Sequence, residues 1–279
     1  MRRPILVTAI VACLALAGLC AAAAEQHVAT VLLSDREKIS AGETFRVGIL
    51  FKIPGHGHIY WLNPGDSGLP TSVEWALPDG FEVGELAWPS PEAFFDDVLD
   101  ETFFGYRHEV LLYSEVHAPK TPSSGGSLRV AAEASWLVCL EDGMCIPERA
   151  ELSIDLPFAE ASIPSAAAPV FEVYAAQTPR ALEDGPVPIR LELNEGQTPA
   201  VRVHLGAPWQ VDPEREVAAV FFPLNGGAWK RIAPDPSDGR SFAFAPLKPL
   251  DGSPAGALRL PVKNAERAER RLIYVRVGR

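Results

Sequence analysis

Residues Leu128–Pro147 read LRVAAEASWLVCLEDGMCIP. From Leu128 to Val138 apolar and polar side chains alternate, the period of a half-buried strand. Asp142-Gly143 is a strong turn signal, and Ala150–Leu156 (AELSIDL) alternates again. The stretch predicts a hairpin that sets Cys139 and Cys145 side by side on neighbouring strands. Outward from it, the same alternation recurs in Thr44–Phe51 (TFRVGILF) and Val110–Val116 (VLLYSEV), while segments of helical period are nearly absent. The chain's 22 Gly and 26 Pro are scattered between these runs rather than clustered. Many short strands punctuated by turns indicate an all-β protein, a sandwich or a barrel. Pro157–Pro169 (PFAEASIPSAAAP) has the composition of a linker, and Val170–Ala176 suits a short helix. Strand-like runs then resume at Val187–Leu193, Ala200–Leu205, Val217–Phe222, Phe242–Ala245, Ala257–Leu260 and Leu272–Val277. Two halves of about 130 and about 110 residues result, each the size of one β-sandwich. The expected organisation is a leader at 1–24, a first domain at 25–157, a linker at 158–169 and a second sandwich at 170–279.

The leader is read from Arg2 and Arg3, an apolar run from Ile5 to Leu19, and the small residues Ala22 and Ala24 before a cleavage point. That pattern is a secretory signal peptide rather than a membrane anchor. The residues before Cys20 (Ala17-Gly18-Leu19) are out of register for lipidation. No later apolar run approaches the roughly 18–20 residues that span a bilayer. The chain carries 25 Lys and Arg against 36 Asp and Glu, a net charge of −11. Losing two arginines with the leader makes it more negative, which argues against phosphate backbones as partners. An exported protein with no direct membrane span and no nucleic-acid partner is expected.

Of four cysteines, Cys13 and Cys20 leave with the leader, so Cys139 and Cys145 remain. One pair in an oxidising compartment forms a disulfide. A chain of this length can bury a sufficient core without a staple. A loop this short is worth ~2–2.5 kcal/mol at most on the chain-entropy model. A bridge that stabilises so little at a sheet end is easily reduced, the property of a redox-active disulfide. A plain structural bridge pinning the hairpin is the alternative, and spacing alone does not choose. The pair is not a C-x-x-C motif, and no helix N-terminus lowers a thiol pKa. Glu141 and Asp142 in the loop disfavour a thiolate. Such a pair is a poor attacker by itself and serves better as a docked partner for another protein's activated thiol. Met144 beside the two cysteines offers three soft sulfurs, a further alternative as a Cu(I) module. His56 and His58 read as solvated loop histidines, with nothing tying them to the cysteines and too few ligands for zinc. No hydrolase triad, phosphate loop or dinucleotide fingerprint is present. No metal and no cofactor are expected.

The segment Cys139-LEDGM-Cys145-Ile-Pro147 resembles the C-x5-C-x-P site of the N-terminal periplasmic domain of the thiol:disulfide interchange protein DsbD. Ile59–Thr71 (IYWLNPGDSGLPT), Val73-Glu-Trp75, Leu77–Phe81 and Trp88-Pro89 are similar to the branch that includes the suppressor-of-copper-sensitivity protein ScsB. The similarity covers roughly Val28–Pro157 and, more loosely, the second domain. It implies an immunoglobulin-like fold, hence two such sandwiches in tandem. It also implies a protein-disulfide reductase component. Electrons would enter from a thioredoxin-like domain or membrane carrier and leave to periplasmic disulfide proteins, in roles such as copper tolerance or cytochrome c biogenesis. By motif, Cys145 would form the mixed disulfide and Cys139 would resolve it. Asp100-Glu101-Thr-Phe103-Phe104-Gly105 resembles the family's cap, with Phe103 the shield, Phe104 beside it, and Asp100 and Glu101 its acidic positions. Tyr60, Trp61, Asn63 and Pro147 are expected to line the site. The family continues into a membrane carrier, whereas this chain stops at Arg279, and Gly57 stands where that branch often has an aromatic residue.

A shield has a physical role. Exchange requires a thiolate to approach along the S–S axis, and an aromatic ring over the sulfurs blocks that line. Adjacent strand residues point to opposite faces, so Phe103 and Phe104 cannot both enter one core, and one is free to cover the sulfurs. Trp136, three residues before Cys139, is expected in the core.

Overall fold

The computed structural model describes residues 26–121, 126–181, 187–194, 200–212, 214, 220–224, 229–232, 240–246 and 255–277. The expected leader, 1–24, lies outside them. The first part of the chain runs β1 (Ala29–Ser34), β2 (Arg36–Lys38), β3 (Thr44–Lys52), β4 (His58–Gly65), β5 (Ser72–Ala76), β6 (Glu82–Val83), β7 (Glu92–Asp96), β8 (Glu101–Tyr106), β9 (Glu109–His117), β10 (Ser127–Cys139), β11 (Cys145–Pro157), β12 (Ile163–Pro164) and helix α1 (Ala168–Ala175). After α1 come β13 (Ile189–Asn194), β14 (Ala200–Leu205), β15 (Trp209–Val211), β16 (Val220–Pro223), β17 (Trp229–Ile232), β18 (Ser241–Pro246), β19 (Gly256–Asn264) and β20 (Arg270–Val277). The described residues are all-β apart from one short helix.

Two antiparallel sheets build the first part. One has the order β1-β3-β9-β6; the other runs β11-β10-β4-β8-β7, with β5 also pairing β10. The alternation along β10 sends Leu128, Val130, Ala132, Ala134, Trp136 and Val138 inward, all of them buried. Phe45, Val47, Ile49 and Phe51 of β3 face them from the opposite sheet. Phe51 meets Trp136 edge to face at 5.3 Å, a favoured aromatic geometry. The Trp136 indole N–H donates to Glu148 Oε2 at 3.0 Å, so its one polar atom is satisfied inside the core.

The stretch expected as a linker is held down rather than free. β12 pairs with β2, Phe158 bridges Ile39, and the Ser165 hydroxyl donates to Ser34 O at 2.5 Å. Helix α1 likewise packs on the first core through Phe171 and Tyr174, with Tyr113 against Phe171 at 5.9 Å. The later strands form the sheets β13-β14-β18-β17 and β15-β19-β16, with β20 on β19. These enclose a second core, which includes Val201, Val203, Phe221, Phe244, Leu258 and Val275. Among the described residues no helix is long and apolar enough to cross a membrane.

Because Phe51 is fully buried and grips Trp136, Phe51→Ala should cost about 3–5 kcal/mol. Urea denaturation followed by tryptophan fluorescence reads this directly; a loss below about 1 kcal/mol would contradict the packing described.

Candidate functional site

Thirteen residue pairs join β10 to β11, from Ser127↔Pro157 to Cys139↔Cys145. The last pair is bonded as a disulfide, with Cα atoms 4.0 Å apart. The turn beyond it is built as its sequence directs. Gly143 takes φ 82° and its N–H donates to Leu140 O, while Met144 N–H donates to Asp142 Oδ1 at 3.1 Å. The two half-cystines differ in environment: Cys139 is 4% exposed, whereas Cys145 belongs to the exposed face of the hairpin.

Cys139 is buried by a small cluster separate from the main core. Its members are Tyr60, Phe94, Phe103 and Cys139, with Leu137 packed against them. The faces of the strands explain it. In β4, Ile59 and Trp61 enter the main core and Tyr60 turns to the other side; in β8, Phe104 and Phe103 divide in the same way. Phe103 and Phe94 are partners across β7 and β8. The Tyr60 hydroxyl lies 3.2 Å from Cys139 Sγ, and since a disulfide sulfur carries no proton, the phenol donates. Burial, with the Glu101 charge second, raises the Tyr60 pKa and keeps that proton in place.

His58 corrects the expectation of a solvated loop histidine. It is the β4 partner of Cys139, and its ring lies 5.1 Å from Tyr60, 5.2 Å from Phe94 and 6.1 Å from Phe103. Burial, helped by the positive charge of Arg107, pulls its pKa down to about 4. Arg107 in turn sits over the Phe94 ring at 4.1 Å. His56 does stay exposed, next to Glu141. Phe94, His58 and Arg107 are absent from the residues expected at the site. A second Phe-Phe doublet in Glu92–Asp96 (EAFFD) is the one sequence signal from which Phe94 could have been found.

The NPGDSG run is the scaffold of this cluster. Asn63 Oδ1 accepts from Gly65 N–H at 3.1 Å, and Gly65 has φ 100°, with its backbone so close to Thr102 O that a Cβ there would collide with it. Only glycine fits that approach. Asp66 exchanges bonds with Thr102: its N–H donates to Thr102 O, and its Oδ2 accepts from Thr102 N–H, both at 2.9 Å. Ser67 donates to Glu101 Oε2 at 2.8 Å. Gly68 lies against the Tyr60 ring, and a Cβ at 68 would overlap that ring. One loop thus fixes both Tyr60 and the start of β8.

Of the residues expected at the site, Phe103, Tyr60 and Cys139 come together. Glu101 holds the scaffold loop, and Asp100 occupies the hairpin tip with φ 55°. Pro147 is exposed on the same face of β11 as Cys145. Phe104, Trp61 and Asn63 are corrections. The first two belong to the main core, and Asn63 Nδ2 donates to Pro223 O at 2.9 Å. Strand parity turns all three away from the sulfurs. Beyond Phe103, Phe95, Val98 and Leu99 expose large apolar surfaces, and Asp96 Oδ1 caps the N–H groups of Val98 and Leu99. Met144 is half exposed. Among the described residues, no group of three or more His, Cys, Asp or Glu could hold a metal ion.

No curated protein sequence matches the chain. Its structure is similar to that of the N-terminal periplasmic domain of ScsB from Proteus mirabilis, at 17% identity and a TM-score of 0.51, covering 91% of this chain and 95% of that one. The N-terminal domain of DsbD from Neisseria meningitidis, in the reduced form, aligns at 15% identity and a TM-score of 0.23 over 50% of this chain and 90% of that one. Residues 29–157 match the family model described as thiol:disulfide interchange protein DsbD, N-terminal. That region, which spans both sheets of the first core and the disulfide hairpin, is the part of the chain that matches the DsbD N-terminal domain family.

Proposed function

We propose that this chain is a periplasmic thiol–disulfide exchange protein. It takes two electrons from a thioredoxin-like donor, itself fed by a membrane carrier, and passes them to disulfide-bonded proteins of the same compartment. The observation that carries this reading is the asymmetry of the pair: Cys145 exposed, Cys139 enclosed by Tyr60, Phe94 and Phe103. A purely structural bridge fits poorly, because the β10–β11 ladder is already thirteen pairs long. A bond at its very end constrains little that the ladder leaves free. The chain-wide likeness in fold and the two separate cores support two immunoglobulin-like sandwiches in tandem, with α1 lent to the first.

The exchange runs in balanced steps. A donor thiolate attacks Cys145 Sγ, the Cys139–Cys145 bond breaks, and its electron pair stays on Cys139 as a thiolate. The Tyr60 hydroxyl, 3.2 Å away, donates a hydrogen bond to that leaving sulfur. The donor's second thiolate then attacks its own bridged sulfur and frees Cys145, so the donor is oxidised and the pair reduced. Toward an acceptor the order reverses: Cys145 attacks the acceptor disulfide, and Cys139 resolves the mixed disulfide. Phe103 covers the buried sulfur between encounters. The exposed Phe95, Val98 and Leu99 lie on the same hairpin, so a docking partner grips the element that carries the shield.

Two measurements test the reading, and a third tests the environment of His58. Cys139→Ala, mixed with an oxidised thioredoxin-like protein, should accumulate a mixed disulfide through Cys145, seen by mass spectrometry. Cys145→Ala, whose remaining thiol is buried, should give at least about tenfold less, because accessible thiolate sets the rate; equal or absent adducts refute the assignment. Phe103→Ala should uncover Cys139 Sγ, open a second point of attack beside Cys145 and so speed reduction of the disulfide by dithiothreitol roughly tenfold, the equivalent of losing part of one buried ring's closed-state preference. An unchanged rate removes Phe103 as the shield. His58 supplies the pH dependence. Its ordinary pKa of 6.5 falls to about 4 in the fold, so between these values the unfolded chain binds more protons and stability rises with pH. The contribution is full above 6.5 and is lost as the pH falls through 4. The urea midpoint of the wild type, taken relative to His58→Phe, should therefore drop over that window; parallel curves would contradict a buried neutral imidazole.

A further inference from the structure

The shield strand has a back as well as a front, and the back is packed by the C-terminal half of the chain. Phe221 and Phe222 of β16 divide by strand parity: Phe221 enters the second core, whereas Phe222 is fully buried in the first. Phe222 meets Phe104 edge to face at 5.8 Å and Trp61 at 6.3 Å. Those are the immediate neighbours of Phe103 and Tyr60, on the opposite face of the same two strands. Arg259 of β19 lies over the Phe222 ring at 5.1 Å and donates from Nη1 to Pro91 O at 3.3 Å, just before the Phe94 strand. Asn63 completes the contact through Pro223 O. β4 and β8 are thus touched from behind by β16, and β19 reaches the residue just ahead of β7.

The geometry points to Phe222 and Arg259 as positioning residues of the disulfide site, with the C-terminal half serving as the backstop that keeps the aromatic shield closed. This rests on the reading of Cys139–Cys145 as a working disulfide. Behind β4 and β8, Trp61, Phe104 and Phe222 form a closed set of three mutual ring contacts. Without Phe222, the Phe104 ring loses a neighbour, β8 gains freedom to lift, and Phe103 on its other face leaves the sulfur more often. The backstop touches neither sulfur. It sets how often Cys139 Sγ is accessible as a second point of attack and leaves the energies of the oxidised and reduced pair alone.

The test compares wild type, Phe222→Ala and Phe221→Ala in the full chain, with dithiothreitol as the probe and Arg259→Met and Phe222→Leu as milder versions. Phe222→Ala should raise the second-order rate of reduction roughly fivefold, the change in open population that goes with one lost aromatic contact. The equilibrium potential against a glutathione buffer should stay where it is in the wild type. Phe221→Ala, which empties the second core instead, should leave the rate unchanged. An unaltered rate in Phe222→Ala, or an equal rise in Phe221→Ala, overturns the backstop. A shifted potential also overturns it, since the variant would then act on the bond itself. Failure of dithiothreitol to reduce any of these folded proteins would instead sink the redox reading on which the backstop rests.

Discussion

A β-strand has two faces, and the sheet β11-β10-β4-β8-β7 uses both at its β4-β8 end. One face closes the main core. The other carries a small aromatic cluster, separate from the main core, that includes Cys139. Every aromatic residue of the site takes its place from this parity. Ile59, Trp61 and Phe104 go inward, so Tyr60 and Phe103 go outward. A one-residue slip in β4 or β8 would exchange the two sets and bare the sulfur. Gly65 and the Asp66–Thr102 bonds hold that register, because no other residue tolerates the backbone approach at 65.

The cluster sets the chemistry by controlling access and charge together. Cys145 is exposed while Cys139 is not, which in the proposed exchange directs attack to one sulfur and makes the other the leaving group. The leaving sulfur faces a phenol whose proton is kept by burial. Nearby His58 is held neutral by burial and by Arg107, so it brings no cation to lower a thiol pKa. The arrangement suits a pair that waits for an activated thiol rather than one that attacks unprompted.

The C-terminal half is joined to this machinery rather than hung beside it. Phe222 crosses into the first core, and Arg259 reaches Pro91, just ahead of the strand that carries Phe94. Helix α1 crosses the other way, its Phe171 and Tyr174 buried among the first sheets. Composition alone assigns 158–175 to a linker and to the second half. Burial assigns it to the first, because Ala, Ser and Pro are as compatible with close packing on a sheet as with solvent.

Periodicity in the chain was enough to establish an all-β protein, the hairpin with Cys139 opposite Cys145, the inward Trp136, and the separation of Phe103 from Phe104. All of these follow from the period of two and from turn chemistry, which are local. The NPGDSGLP and C-x5-C-x-P runs identified the family, because they encode particular backbone approaches and a particular sulfur pair. Non-local pairing decided the remainder. Nothing near His58 in the chain announces that Cys139, Phe94 and Phe103 will surround it, and nothing near Asn63 announces Pro223. Their contacts join segments tens to more than a hundred residues apart, and such partners are chosen by which faces remain unburied once the sheets have formed.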